Sequence, residues 1–465
     1  MTTELHTDYL IVGAGAVGMA FADTLVAESD ADVVIIDRYE RPGGHWTRAY
    51  PFVTLHQPSQ FYGVRSMELS RGLIDRVGLN RGLYDLASGH EVAAYFDLVM
   101  RHQLLPTGRV RYFPLCDYSG DGNFRHRLTG EHYHVDHGML ADCTLLNTSI
   151  PSTHTPSFEI EDGVTFMPVN DLPKVTEPPA GFVVIGGGKT GIDAVIWLLE
   201  NSVDPSRITW IMPRDAWWLD RAKLQPGIEF FDATMGAQAD QIEAIAAAGS
   251  FEDLFHRLEA CGYFHRLDPQ VEPTMFHAAV VSELEANELR RVDDVVRLGR
   301  VQRITPTEIV LDGGTVPTTP DHVFVDCSAS AIKVFEDRPV FEENRISPQT
   351  IRAYQPLFSA SLIAYLELTR DSIEEKNRLS QVVPLPNHLE DYLHLTASNL
   401  INQFNWGQEA DLGPWLRGNR LDGFSEAVAS IGPEDTERAA VLERIGASAF
   451  AAMGTLQRLM AEFDA

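Results

Sequence analysis

Cysteine is scarce in this chain: four in 465 residues, Cys116, Cys143, Cys261 and Cys327. No two form a C-x-x-C pair, which excludes a zinc ribbon and a redox dithiol. There is no unbroken apolar run of the roughly 18 residues that a membrane-crossing helix needs. The opening residues, MTTELHTDYLIVGAG, lack the charged start and apolar stretch of a secretory leader, so no signal peptide is expected. Positive charge is short too: 37 Lys+Arg stand against 66 Asp+Glu, a formal net charge of −29. So acidic a surface repels phosphate backbones and anionic lipid, and neither nucleic acid nor a membrane is an expected partner. A cytoplasmic, reduced protein is the expectation. A small anionic cofactor is still admissible, because a local pocket can differ from the mean field.

What is present is globular. The chain is 44% hydrophobic and 22% charged, which excludes collagen-like, coiled-coil and wholly disordered classes. Its length suggests two or three domains at about 150 residues each. Tyr9–Val12 is a short apolar run ending in Gly13, as expected of a buried parallel strand. A small, apolar helix over Val17–Ala27 and a strand over Val33–Ile36 complete a β-α-β unit of about 30 residues. The pattern returns with a strand over Phe182–Ile185, a helix over Thr190–Glu200 and a strand over Ile208–Met212. Between the two units, Glu91–His102 reads as helix and Arg109–Phe113 and Phe124–Leu128 as strands. Pro173–Pro179 is the best linker. Beyond the second unit, Gln238–Ala260 (broken near Gly249), His277–Arg291 and Ala439–Met460 read as helices. Glu308–Gly314 is a hairpin signal and His322–Val325 a buried strand.

Gly13-Ala-Gly15-Ala-Val-Gly18 fits G-x-G-x-x-G between a strand and a helix, and Asp37 ends the next strand about 20 residues on. In that setting Gly13 permits the tight turn, Gly15 lets backbone approach a pyrophosphate and Gly18 lets helix pack on strand. The helix N-terminus faces the phosphates, and Asp37 accepts from the ribose hydroxyls. Gly186-Gly-Gly188-Lys189-Thr190-Gly191 is the second copy, but its returning strand leads into Met-Pro-Arg214 rather than an acid. An arginine there grips a 2′-phosphate that an acid would repel, which points to NADP(H), with Lys189 adding charge near the same phosphates. The string Gly188-Lys-Thr is not a P-loop, since Val183 stands where that motif needs glycine.

Together with Gly43-Gly44-x-Trp46, these motifs resemble the flavin-containing monooxygenases over roughly residues 5–60, 180–215 and 320–370. The resemblance implies FAD on the first unit and NADPH on the second. It implies reduction of the flavin, capture of O2 as a C4a-peroxide and oxygen transfer to a small or medium organic substrate. Gly44 and Trp46 would approach the flavin, and Gln57, then His56, would lie against it and tune oxygen reactivity. Asp326 would end the last FAD-domain strand close to the flavin. A helix over Pro356–Glu367 would aim its N-terminus, with Gln355 and Ser359, at the flavin pyrimidine. The family's Phe-x-Gly-x-x-x-His signature is incomplete: Phe166 is present, but Pro168 and Leu172 replace glycine and histidine. A flavin oxidoreductase without oxygen transfer, a flavin-dependent halogenase and a non-enzymatic two-Rossmann binding protein therefore stay open.

The expected fold is α/β, with two Rossmann-like dinucleotide-binding domains and a helical C-terminal region. The FAD domain would comprise residues 1–175 and 321–371. The NADPH domain would span 176–320, with a helical insertion at about 215–290, and helices would fill 372–465. Cys327 reads as a small buried hydrophobe. Trp217, Trp218, Phe230, Phe231, Trp406 and Trp415 read as core rather than substrate contacts. His126, His132, His134 and His137 complete no familiar ligand set, so no metal is expected.

Overall fold

A computed structural model describes residues 2–146, 150–329 and 338–463. The first unit is built on β1 (Thr2–Val12), α1 (Ala16–Glu28), β2 (Val33–Ile36), β3 (Val110–Phe113) and β4 (His132–Asp142). These strands lie parallel in the order β4-β1-β2-β3. All four residues of β2 are buried, as expected of a strand covered on both faces. β1 is longer than its apolar run. Its polar half, Thr2–Thr7, pairs with His132–His137, so alternation rather than hydrophobicity carries the strand outward.

The second unit has β5 (Thr165–Pro168), β6 (Gly181–Ile185), α2 (Lys189–Glu200), β7 (Ile208–Ile211), β8 (Val295–Val296) and β9 (His322–Asp326). All its strand pairs are parallel, in the order β5-β9-β6-β7-β8. This corrects one expectation. His322–Asp326 belongs to the second sheet, between β5 and β6, and not to the first. The chain rejoins the first sheet at Phe341–Ile346, where Arg345–Ile346 pairs with β4. A strand with a buried Val-Phe-Val centre looks the same in either sheet, and only its register beside Gly181–Ile185 decides between them. Residues 330–337 of the segment expected to return at 321–371 lie outside the described residues.

A second correction concerns His277–Arg291. Met275–Val281 is a strand parallel to Ala216–Asp220, and the helix begins only at Glu283, after a Ser282/Glu285 capping box. The break expected near Gly249 is present: helices span Phe231–Ala246 (α3) and Phe251–Ala260. Pro356–Thr369 (α4) is buried nearly all round and packs on α1, with Thr24 and Ser361 hydroxyls 2.7 Å apart. The C-terminal helices do not form a separate body. Asp391–Gly407 (α5) and Thr436–Phe463 (α6) join α3 and the Trp217 strand in one apolar core. Arg444 of α6 reaches Asp240 and Glu243 of α3. Trp217, Trp218, Phe231, Trp406 and Trp415 are buried, as expected of core.

Candidate functional site

Both glycine loops are arranged alike. Gly13 and Gly186 take φ of +102° and +127°, conformations that favour glycine, and each turns its strand into the following helix. A Cβ on Gly18 would collide with Gly13 O, and one on Gly191 with Gly186 O, so these glycines set the close packing of helix on turn. A Cβ on Gly188 would meet nothing within 4 Å, and one on Gly15 only Gly44 Cα at 3.7 Å. The loop centres thus have open space beside backbone. α1 and α2 start from extended Gly15 and Gly188, with no capping side chain and no acid in the first turn. Ser88, Ser250, Ser282 and Ser372 cap other helices, although α3, α4 and α5 also start without a capping side chain. Two uncapped N-termini facing open space offer N–H groups and a positive dipole end to phosphates. By this measure the residues fit dinucleotides at both loops.

The likeness extends past the loops. β4 ends in Asp142-Cys143-Thr144 and β9 in Asp326-Cys327-Ser328. Each cysteine N–H donates over 2.9 Å to the last residue of the neighbouring strand, Val12 or Ile185. Each aspartate accepts from the N–H and hydroxyl two residues on. Asp326 therefore closes the second loop. Its expected place beside the flavin is corrected by the same change of sheet. Cys327 is buried with its pKa pushed well up by burial, an inert thiol.

Asp37 ends β2 as expected. Its carboxylate is nearly buried and accepts from Ala14 N (2.5 Å) and Tyr39 N (2.7 Å). It shapes the first loop, and a ribose hydroxyl would add to bonds already made. Arg214 stands exposed past β7, with its carbonyl near Gly187. Partial burial and then nearby Arg300 hold its pKa below the usual arginine value, so the spot is electropositive. Lys189 is already engaged: its ammonium is paired with Asp193 one turn along α2, and both side chains are only 11% exposed. Thr190 sits beside it at the start of α2.

The turn after β2 ties the units together. Gly43 N–H donates to Ala14 O (2.9 Å), and Gly44 lies against Gly15. Trp46 packs into both units' cores, and its indole donates to Tyr62 OH (2.7 Å). Four residues on, Tyr50 OH donates to Asp193 in the second unit (2.6 Å). Next come His56 and Gln57, which face apart. Burial, Lys189 and Arg221 hold the His56 pKa well below its ordinary value, so it is neutral. Gln57 instead lines a cavity of about 510 Å³. Gln355, the residue before α4, lines the same cavity and is 7% exposed. The structure brings together Gln57, Gln355 and the α4 N-terminus, and leaves His56 on the other side.

Two site-building residues carry no sequence motif. Arg221 is fully buried and reaches His56 O, Asn80 and Val280 O, with Glu285 at 2.7 Å. Arg420 donates to the carbonyls of Gln60, Tyr62, Val64 and Met67, fixing the segment after Gln57. Only the fold brings these guanidinia to their carbonyls. Pro168 lies in β5 and Leu172 is buried core, so the incomplete signature serves packing here.

Fold and site define the class: an α/β protein of two Rossmann-like units, each with a glycine loop leading into a helix. Residues 11–61 match the NAD(P)-binding Rossmann-like domain family. The chain is 46% identical over 442 residues to the uncharacterized protein Rv2000 of Mycobacterium tuberculosis, covering 95% of this chain and 81% of that one. It belongs to the same family as that protein. A shorter match, 34% identical over 86 residues, is to ferredoxin–NADP reductase of Thermus thermophilus, covering 18% of this chain and 25% of the reductase. A closed crystal structure of cyclohexanone monooxygenase aligns over 95% of this chain and 97% of its own, at 15% identity and a TM-score of 0.47. Among the described residues no helix is long and apolar enough to cross a membrane.

Proposed function

We propose that this protein is an NADPH-dependent FAD monooxygenase acting on a small or medium organic substrate with O2. One observation carries the reading. The Gly43–Phe61 segment touches the first glycine loop at Gly44 and the second unit's helix through Tyr50 and Asp193, and it ends beside a cavity at Gln57. A dinucleotide held at the first loop would lie beside this segment, whose own residues reach both the second unit and the cavity. Bound flavin supplies the redox chemistry. Gly13, Gly15, Gly18 and Asp37 would hold FAD, with Gly44 and Trp46 along its path. Gly186, Gly188, Thr190 and Gly191 would hold NADPH. The α4 N-terminus with Gln355 would favour negative charge on the ring held there. The Gln57 amide would donate a hydrogen bond into the cavity.

The test is the fate of oxygen. Under 18O2, one labelled oxygen in an organic product per NADPH consumed supports oxygen transfer. H2O2 equal to NADPH with every substrate offered favours instead the flavin oxidoreductase, the reading that Pro168 and Leu172 support. Gln57→Ala is expected to leave flavin reduction by NADPH unchanged and to raise the H2O2 released per NADPH severalfold. A fall in reduction rate with unchanged coupling would make Gln57 part of the nicotinamide site.

Arg214→Ala tests the second cofactor. A charge-assisted bond to phosphate is worth about 1.5–3 kcal/mol, so NADPH affinity is expected to fall about ten- to a hundredfold. NADH, which lacks that phosphate, should bind as before. Equal losses for both cofactors in a titration would exclude the assignment.

A further inference from the structure

The cavity that begins at Gln57 and Gln355 runs between α3, α5 and α6, outside both glycine loops. Its lining goes from exposed Arg417 and Ala429 to buried Tyr263 and Thr396. Much of the wall is aliphatic, with Ile242, Ile245, Leu395 and Leu400. Its charge is unlike the rest of the molecule. Asp and Glu number 66 in this chain, yet among the described residues none lines the cavity. Three cations do: Lys223, Arg352 and Arg417. Arg352 is neutralised from behind by Asp422 at 2.5 Å and lies over the Phe358 ring at 4.6 Å. Lys223 and Arg417 have no ion-pair partner among the described residues.

Tyr354 also lines the cavity, at φ +64°, a strained backbone for a tyrosine, while its hydroxyl is buried away from the open space and has no hydrogen-bond partner.

We propose that the cavity binds an apolar-chain molecule whose polar end is uncharged or anionic, a carboxylate above all, and rejects ammonium ions. This rests on the flavin-oxidoreductase reading in taking Gln57 and Gln355 as the reacting end. A cationic amine would leave water for a wall with no carboxylate to pair it, a penalty that hydrogen bonds to amides do not offset. A carboxylate gains a charge-assisted bond from Lys223, while the aliphatic wall covers its chain.

The test is calorimetric titration of the purified full chain with octanoate, octan-1-ol and octylammonium, which share one chain length. Octanoate and octanol should bind, octanoate at least tenfold more tightly than octylammonium. Lys223→Met should weaken octanoate about tenfold and leave octanol unchanged. Ile242→Trp, which fills the cavity, should abolish binding of both. Octylammonium binding as tightly as octanoate overturns the proposal. So does octanoate affinity unchanged in both Lys223→Met and Arg417→Met, or unchanged in Ile242→Trp. Visible absorbance of the same samples reports bound flavin separately. A colourless protein that still selects octanoate would sink the flavin reading and keep the selectivity, while a yellow protein without it would do the reverse.

Discussion

Arg221→Met is expected to cost about 3–5 kcal/mol of stability, enough to unfold much of the protein at moderate temperature. The guanidinium is fully buried and pairs with Glu285, itself 8% exposed. Methionine fills similar volume but leaves Glu285 as a buried, unpaired carboxylate. It also removes donors from His56 O, Asn80 and Val280 O, which join the first unit to the second. In the wild type, burial pushes the Glu285 pKa up, but Arg221, then Lys189 and the Ser282 N–H, more than reverse it, so the folded value lies below the usual one. The pair's contribution is therefore present above the ordinary carboxylate range and lost as pH falls through the folded value. Without Arg221, burial dominates and the folded pKa rises above the unfolded one. The penalty should then be greatest near pH 8 and shrink towards pH 5, where the carboxyl can protonate. Adding Glu285→Gln should recover part of the loss at pH 8. Thermal melts of the single and double variants at both pH values decide it. A single variant that melts like the wild type would show that this ion pair does not hold the units together.

Gly188→Val and Gly191→Ala should part stability from binding. Gly188 is an N-cap in extended conformation with nothing within 4 Å of its Cβ position, so valine fits and costs no more than about 1 kcal/mol. Its side chain would occupy the space beside the helix N-terminus where a pyrophosphate would lie. The variant is expected to fold, to keep the colour of its flavin and to lose NADPH binding by a hundredfold or more. Gly191→Ala drives a methyl group into Gly186 O and must move the α2 start away from β6. It should lose NADPH binding and about 1–3 kcal/mol of stability together. The first loop offers the parallel pair, Gly15→Val and Gly18→Ala, with FAD content as the readout. If Gly188→Val binds NADPH as the wild type does, the open space is only a turn. If Gly15→Val purifies with one FAD per chain, the first assignment falls.

Local chemistry made the two nucleotide units legible. A glycine that must take positive φ, a glycine that must admit a helix and a short apolar strand all constrain neighbouring residues, so Gly13–Gly18 and Gly186–Gly191 could be read directly. The hairpin at Glu308–Pro317 and the helix at Pro356 were readable for the same reason. What could not be read depended on residues far apart in the chain. His322–Asp326 is equally apolar for either sheet, and its sheet is chosen by pairing with Gly181–Ile185. Met275–Val281 has residues that suit helix or strand, and Ala216–Asp220 beside it decides. The motif position alone puts Lys189 near phosphates, whereas the tertiary structure pairs it with Asp193, which also accepts from Tyr50. Gln57 and His56 are neighbours in sequence, and only packing turns one to the cavity and the other to Lys189 and Arg221. By itself the sequence determined where the two glycine loops turn into their helix N-termini, because backbone conformation and helix ends are local. The walls and depth of the cavity come from α3, α5, α6 and the 352–355 turn, and its charge from Arg352 together with Lys223 and Arg417 on two further segments; only long-range packing brings those together.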